Sequence, residues 1–276
     1  MVPSEHRSRR HFSVGGKPLR SNFGRRNVDI TGMTVPVAPL PRTPSGPTVR
    51  FQRRQVVVTA HGWMAGRRSM RRLNRAFGDA GFETINWGYP SLRGSIVQHG
   101  KRLGELLTRL TESHDVERVH LVTHSMGGIV ARVAIQVSGI ESFAARKCGR
   151  LVMMAPPNAG SRLTRLPLGP FASWFPHLSE LSERSDSLVN QLPLPQRMRV
   201  SVLAASRDFV VTVAATRLAC QVDHLVVPTT HQRLASDSRA IRAAVGWIAA
   251  DSKLIGSVPP RPARTKSLAI AQPIAA

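Results

Sequence analysis

A chain of 276 residues with 42% apolar side chains is long enough for one large domain with a substantial core. Its 39 basic against 16 acidic residues give a formal charge of +23. No run of apolar residues is long enough to predict a membrane-spanning helix, and no Cys or His spacing marks a metal or redox motif.

The charge is uneven: residues 1–54 hold eleven Lys/Arg against Glu5 and Asp29, and residues 252–276 hold four with no acid. A field of that sign draws a protein toward anionic membranes, nucleic acid or acidic partners, although tail charge often serves solvation alone. The chain has no Gly-rich phosphate loop and no basic motif interleaved with aromatics. Specific nucleic-acid binding is therefore not expected, and electrostatic attraction to an anionic membrane surface stands as an open reading behind plain solvation of the tails. The start is Arg-rich but lacks the apolar stretch of a secretory signal, so a cytoplasmic location is expected.

Residues 1–53, rich in Pro, Gly, Ser and Arg, are expected to form a disordered tail, as are residues 252–276 with "SVPPRPARTKS". Between them, residues 54–251 alternate short β-branched runs with helical stretches. "QVVVTAHG" (55–62) reads as a buried strand, and "SMRRLNRAFGDAGF" as a helix burying Met70, Leu73, Ala76 and Phe77 with Gly81 at its end. "ETINWGYP" is the next strand, followed by the amphipathic "SIVQHGKRLGELLTRLTES". "RVHLVTHS" and "MGGIVARVAIQVSG" repeat the strand–helix pattern, and "GRLVMMAPP", "RVSVLAASRD" and "DHLVVPTTH" are further strands before the helix "SRAIRAAVGWIAA". Such alternation predicts an α/β fold: a mostly parallel sheet of about six strands with helices on both faces. Residues 159–196 interrupt the pattern with five prolines and with Phe171, Trp174 and Phe175. A connection of that length with aromatic content is expected to be a cap or lid, its aromatics offering an apolar substrate wall or anchoring the segment.

In open α/β sheets, ligands bind outside the carboxyl ends of the strands. Four strands here end in chemistry: His61–Gly62–Trp63, Ser125, Asp208 and His231. A serine hydroxyl needs a base to become a nucleophile at neutral pH, histidine suits that role, and the imidazole needs a carboxylate to fix its tautomer. Ser125, Asp208 and His231 supply these groups in the order Ser, Asp, His. Gly127 and Gly128 permit a sharp turn with a helix close behind the serine. That turn aims the Met126 amide at a developing oxyanion, with the Trp63 amide as second donor. Asp223 is a rival acid, but it begins the strand that His231 follows, about 20–25 Å from the site at 3.3 Å per residue. His224 shares that wrong end, His124 is expected to pack beneath the turn, and His61 to shape the oxyanion loop. Cys148 and Cys220 precede strands separated by another strand, too far apart for a disulfide.

These motifs resemble the α/β-hydrolase fold, and within it the lipase/esterase group of serine hydrolases with an "HSMGG" nucleophile elbow. "AHGWMAG" resembles the oxyanion loop, "THSMGGIVAR" the elbow, "APPNAGS" the turn after the next strand, "SRDFVV" the acid loop and "HLVVPTTHQRL" the histidine loop. Two departures stand out: Thr123 replaces the first glycine of the elbow, and no counterpart of the family's first two strands precedes residue 54. The resemblance covers residues 54–250. It implies hydrolysis of a carboxylic ester, lipid or small-molecule, through an acyl-enzyme on Ser125 without metal or cofactor. An acyltransferase using the same triad, and an inactive basic adaptor on the same scaffold, are the alternatives.

Overall fold

The computed structural model describes residues 54–143, 145–165 and 176–253; the expected N-terminal tail, residues 254–276 of the expected C-terminal tail, and Phe171, Trp174 and Phe175 in the expected cap lie outside the described residues, whereas Ser252 and Lys253, expected to open the C-terminal tail, continue the last helix. The chain order is β1 (Arg54–Ala60), α1 (Arg71–Asp79), β2 (Glu83–Trp87), α2 (Ile96–Glu112), β3 (Val116–His124), α3 (Met126–Ser138), α4 (Ile140–Phe143) and β4 (Cys148–Met154). Then follow α5 (Pro176–Glu180), α6 (Leu188–Gln191), β5 (Arg199–Arg207), β6 (Gln221–Thr230) and α7 (Ser238–Lys253). The strands form one six-stranded sheet in the order β2-β1-β3-β4-β5-β6, and every pairing is parallel. The family's two missing strands have no counterpart among the described residues.

Both faces of the sheet are covered, which is why β1 reads as an unbroken valine run rather than an alternation. Val56, Val58 and Ala60 join the core under α2 and α3, and Val57 joins the core under α1 and α7. β6 lies at an open edge, so it tolerates Pro228, which cannot donate to a ladder. The chain runs from β1 outward to β2 and then crosses back to β3 on the other side of β1. That reversal leaves a crevice at the carboxyl ends of β1 and β3, the position where such sheets bind ligands.

The amino edge of the sheet is fastened electrostatically. Buried Arg150 on β4 makes a bidentate pair with Asp251 of α7 (2.9 and 2.8 Å) and reaches Asp223 and Ser201 at 2.5 Å each. A two-pronged guanidinium–carboxylate geometry compensates for the desolvation of both charges. Asp223, the rival acid in the sequence, is thus a structural clamp remote from the carboxyl edge.

The described part of the 159–196 segment packs on the body. Leu181 and Val189 enter the core beneath α2 and α3. The Glu180 carboxylate accepts from the Ile96 amide (2.7 Å) at the positive end of α2, alongside a capping box of Ser95 and Gln98. Arg132, buried in α3, donates to the carbonyls of Val189 (3.3 Å) and Leu192 (2.7 Å). Glu141 accepts from the amides of Gln196, Arg197 and Met198 where the segment rejoins the sheet.

Candidate active site

At the end of β3 the chain turns through Ser125 with φ 54° and ψ −129°, a positive-φ conformation that a residue with a side chain adopts only under constraint. The constraint is visible: the Ser125 amide donates to the Met154 carbonyl (2.8 Å), and α3 starts at the next residue. The helix passes very close to the loop after β1. A Cβ on Gly127 would lie 2.5 Å from the His61 carbonyl oxygen, and one on Gly62 would lie 2.8 Å from Ser125 Cβ. Only glycines permit that approach. Thr123 is accommodated, fully buried, with its hydroxyl 3.4 Å from the Val152 carbonyl.

Three strands bring their terminal side chains into one hydrogen-bonded chain. His231 Nε2 lies 2.9 Å from Ser125 Oγ, and His231 Nδ1 lies 2.7 Å from Asp208 Oδ2. The second carboxylate oxygen, Asp208 Oδ1, accepts from the amides of Val210 and Val211 at 2.8 Å each. The Asp208 carboxylate is therefore oriented at both oxygens. With Nδ1 donating to Asp208, Nε2 presents its lone pair to the serine hydroxyl, the arrangement a general base needs.

The neighbouring histidines have other duties. His124 sits within hydrogen-bond reach of the His231 carbonyl through Nε2 (2.9 Å), and burial pushes its pKa down to about 4. It is thus a neutral ring that holds the backbone of His231. His61 stacks on Tyr89 with ring centroids 4.5 Å apart, and its Nδ1 bonds the Gly62 carbonyl at 2.9 Å. The Tyr89 hydroxyl donates to the His61 carbonyl (2.8 Å), and burial lowers the His61 pKa. These contacts fix the loop that carries Trp63, as expected of a shaping residue. Trp63 packs against His177 of α5, centroids 5.4 Å apart, which joins this loop to the 176–196 segment. Met126 is buried at the head of α3, next to Ser125.

Sequence reasoning missed Tyr89, the His124 contact and Arg132. The last had a signal, a charged residue inside the apolar run "GGIVARVAI". Its guanidinium also faces Asn158 Oδ1 at 3.5 Å, and burial lowers its pKa to about 10. Asn158 in turn donates to the Thr216 carbonyl (2.8 Å), linking the β4 and β5 loops. Cys148 and Cys220 are free thiols, and burial raises the Cys148 pKa to about 11, away from thiolate chemistry. No described group of His, Cys, Asp and Glu has the arrangement of a metal site.

A parallel sheet whose carboxyl ends deliver a serine on a strained strand-to-helix turn, a histidine and a carboxylate is the arrangement of α/β serine hydrolases. Over residues 57–271 the sequence matches the Alpha/beta hydrolase family, and the chain belongs to that family. Among solved structures it resembles phospholipase PlaB from Legionella pneumophila (TM-score 0.56, 17% identity, 73% of this chain and 62% of that one). It also resembles Aspergillus fumigatus lipase B (TM-score 0.58, 13% identity, 80% and 57%) and Bacillus licheniformis lipase BlEst2 in its propeptide form (TM-score 0.51, 17% identity, 65% and 46%). The chain covers less than two thirds of each of these structures, and at such identities the likeness is one of fold. No curated protein matches the sequence.

Proposed function

We propose that the protein hydrolyses carboxylic esters through an acyl-enzyme on Ser125. The observation that carries this reading is the continuous chain Asp208–His231–Ser125, with contacts of 2.7 and 2.9 Å. His231 takes the hydroxyl proton as Ser125 Oγ attacks the ester carbonyl, and Asp208 stabilises the imidazolium that forms. The amides of Trp63 and Met126 receive the oxyanion, the latter at the positive end of α3. His231 then returns its proton to the leaving alcohol and activates the water that frees the acid. A lipid ester is the favoured substrate class, in keeping with the lipase and phospholipase names of structures that share the fold.

A fluorophosphonate probe tests the reading. It should label Ser125, as mapped by peptide mass, and Ser125→Ala should lose both labelling and nitrophenyl-ester hydrolysis while stability stays within about 1 kcal/mol. Retention of most activity by Ser125→Ala refutes the assignment.

A further inference from the structure

Three large apolar side chains stand in solvent on loops at the carboxyl edge of the sheet. They are Met64 after β1 (70% exposed), Leu92 after β2 (48%) and Phe209 after β5 (84%). Folding does not ask this of them. Met64 keeps its side chain outward at φ 53°, a strained conformation for a residue with a Cβ. Phe209 directly follows Asp208, yet the neighbouring Val211 is buried. The Met64 and Leu92 loops are tied together by Ser91 Oγ donating to the Ala65 carbonyl (3.2 Å). Around the same edge stand exposed Arg68, Arg93 and Arg233, none paired with a described carboxylate. These loops leave the same edge of the sheet as the turn that carries Ser125.

Apolar prongs flanked by unpaired cations fit one kind of surface. Hydrocarbon accepts the aliphatic and aromatic tips, and lipid phosphates accept guanidinium groups. A phosphodiester backbone would satisfy the arginines but leave Met64 and Leu92 in water. We propose that this rim docks the protein on an anionic lipid bilayer, with Met64, Leu92 and Phe209 entering the interface and Arg68, Arg93 and Arg233 meeting headgroup phosphates. The idea rests on the ester-hydrolase reading for its purpose, delivery of a lipid ester to Ser125, but its test does not require turnover.

The test is vesicle flotation of the full chain carrying Ser125→Ala, with phosphatidylcholine vesicles alone or with about 30 mol% phosphatidylglycerol, at about 0.1 M salt. Binding is expected on the anionic vesicles only. Each of Arg68→Ala, Arg93→Ala and Arg233→Ala should weaken it about fivefold, and Met64→Ser with Phe209→Ser about tenfold or more. Binding that ignores all these changes belongs to the basic ends of the chain and overturns the proposal, as does absence of binding. Tighter binding to an RNA oligonucleotide that depends on the same arginines also overturns it. A second readout leaves the charges in place: an environment-sensitive dye on Phe209→Cys, in a Cys220→Ser background, should shift to the blue on anionic vesicles, and unchanged emission refutes the docking. Fluorophosphonate labelling of the parent chain reads the Ser125 assignment separately, so failure of one idea is distinguishable from failure of the other.

Discussion

Gly127→Ala perturbs the candidate site without touching any group that handles a proton. The new Cβ would stand 2.5 Å from the His61 carbonyl oxygen and 2.8 Å from that of Ala60, both backbone atoms. Ordinary carbon–oxygen approach is about 3.3–3.6 Å, so the loop bearing Trp63 must retreat by roughly 1 Å. Overpacking of this kind costs about 1–3 kcal/mol. At about 2–4 °C per kcal/mol for a domain of this size, the melting temperature should fall by roughly 2–12 °C. A misplacement near 1 Å at a reacting centre is worth about a hundredfold in rate. Because an oxyanion donor acts in the transition state, kcat on a nitrophenyl ester should carry the loss while KM changes little. Gly246→Ala is the control: it lies in α7 with no heavy atom within 4 Å of the added Cβ. It should raise stability by about 0.5–1 kcal/mol with the rate unchanged. A Gly127→Ala protein with parental melting temperature and parental kcat would refute the close contact between α3 and the loop after β1.

Asp208→Asn should lower kcat by about 10⁴, the loss that follows when a serine protease's triad aspartate becomes asparagine and the histidine takes the wrong tautomer. Asp223→Asn should instead lose stability by breaking the Arg150 clamp and keep the rate; the reverse outcome would reassign the acid. Arg132→Ala removes the guanidinium that holds the carbonyls of Val189 and Leu192. It should cost about 2–4 kcal/mol and speed proteolytic cleavage within 176–196, and unchanged cleavage would show that the segment is held otherwise. Acid should destabilise the protein early. Burial holds the pKa of His120 down to about 3 and that of His124 down to about 4, both below an ordinary value near 6.5. Between pH 6.5 and 4 the unfolded chain therefore binds more protons than the folded one. The stability these rings contribute is intact above 6.5 and lost as the pH falls through that window, by several kcal/mol. Urea midpoints measured from pH 8 downward test this, and a flat profile to about pH 4.5 would contradict the neutral assignment of both rings.

Strand polarity made much of this legible in the sequence. Ser125, Asp208 and His231 each follow a β-branched run, so a parallel sheet places them on one edge. The same logic sends Asp223, at the start of β6, to the other. Contacts between distant elements were not legible. Glu180 caps α2 across 84 residues, and His124 holds the backbone of His231 across 107. Neither has a local pattern, because each depends on how helices and loops pack once the sheet exists. Tyr89 is an intermediate case: it lies just after β2, yet only the stacking of its ring on His61 reveals what it does. The connection 159–196 was recognisable by its prolines and aromatics, but its fastening to α3 and α4 was not.

The open side of β6 bears on solubility as well as on chemistry. Val222, Leu225 and Val226 are exposed along it, an invitation to strand addition by another molecule. Pro228 interrupts that invitation. It has no N–H to offer, and its carbonyl already accepts from Arg207 and Arg239 at 3.2 Å each. A valine at 228 would restore an unbroken β-prone run, "LVVVTT", with no charge within it. Pro228, three residues before His231, thus sets a break in the β-prone run of an edge strand, a device that bears on self-association rather than on chemistry.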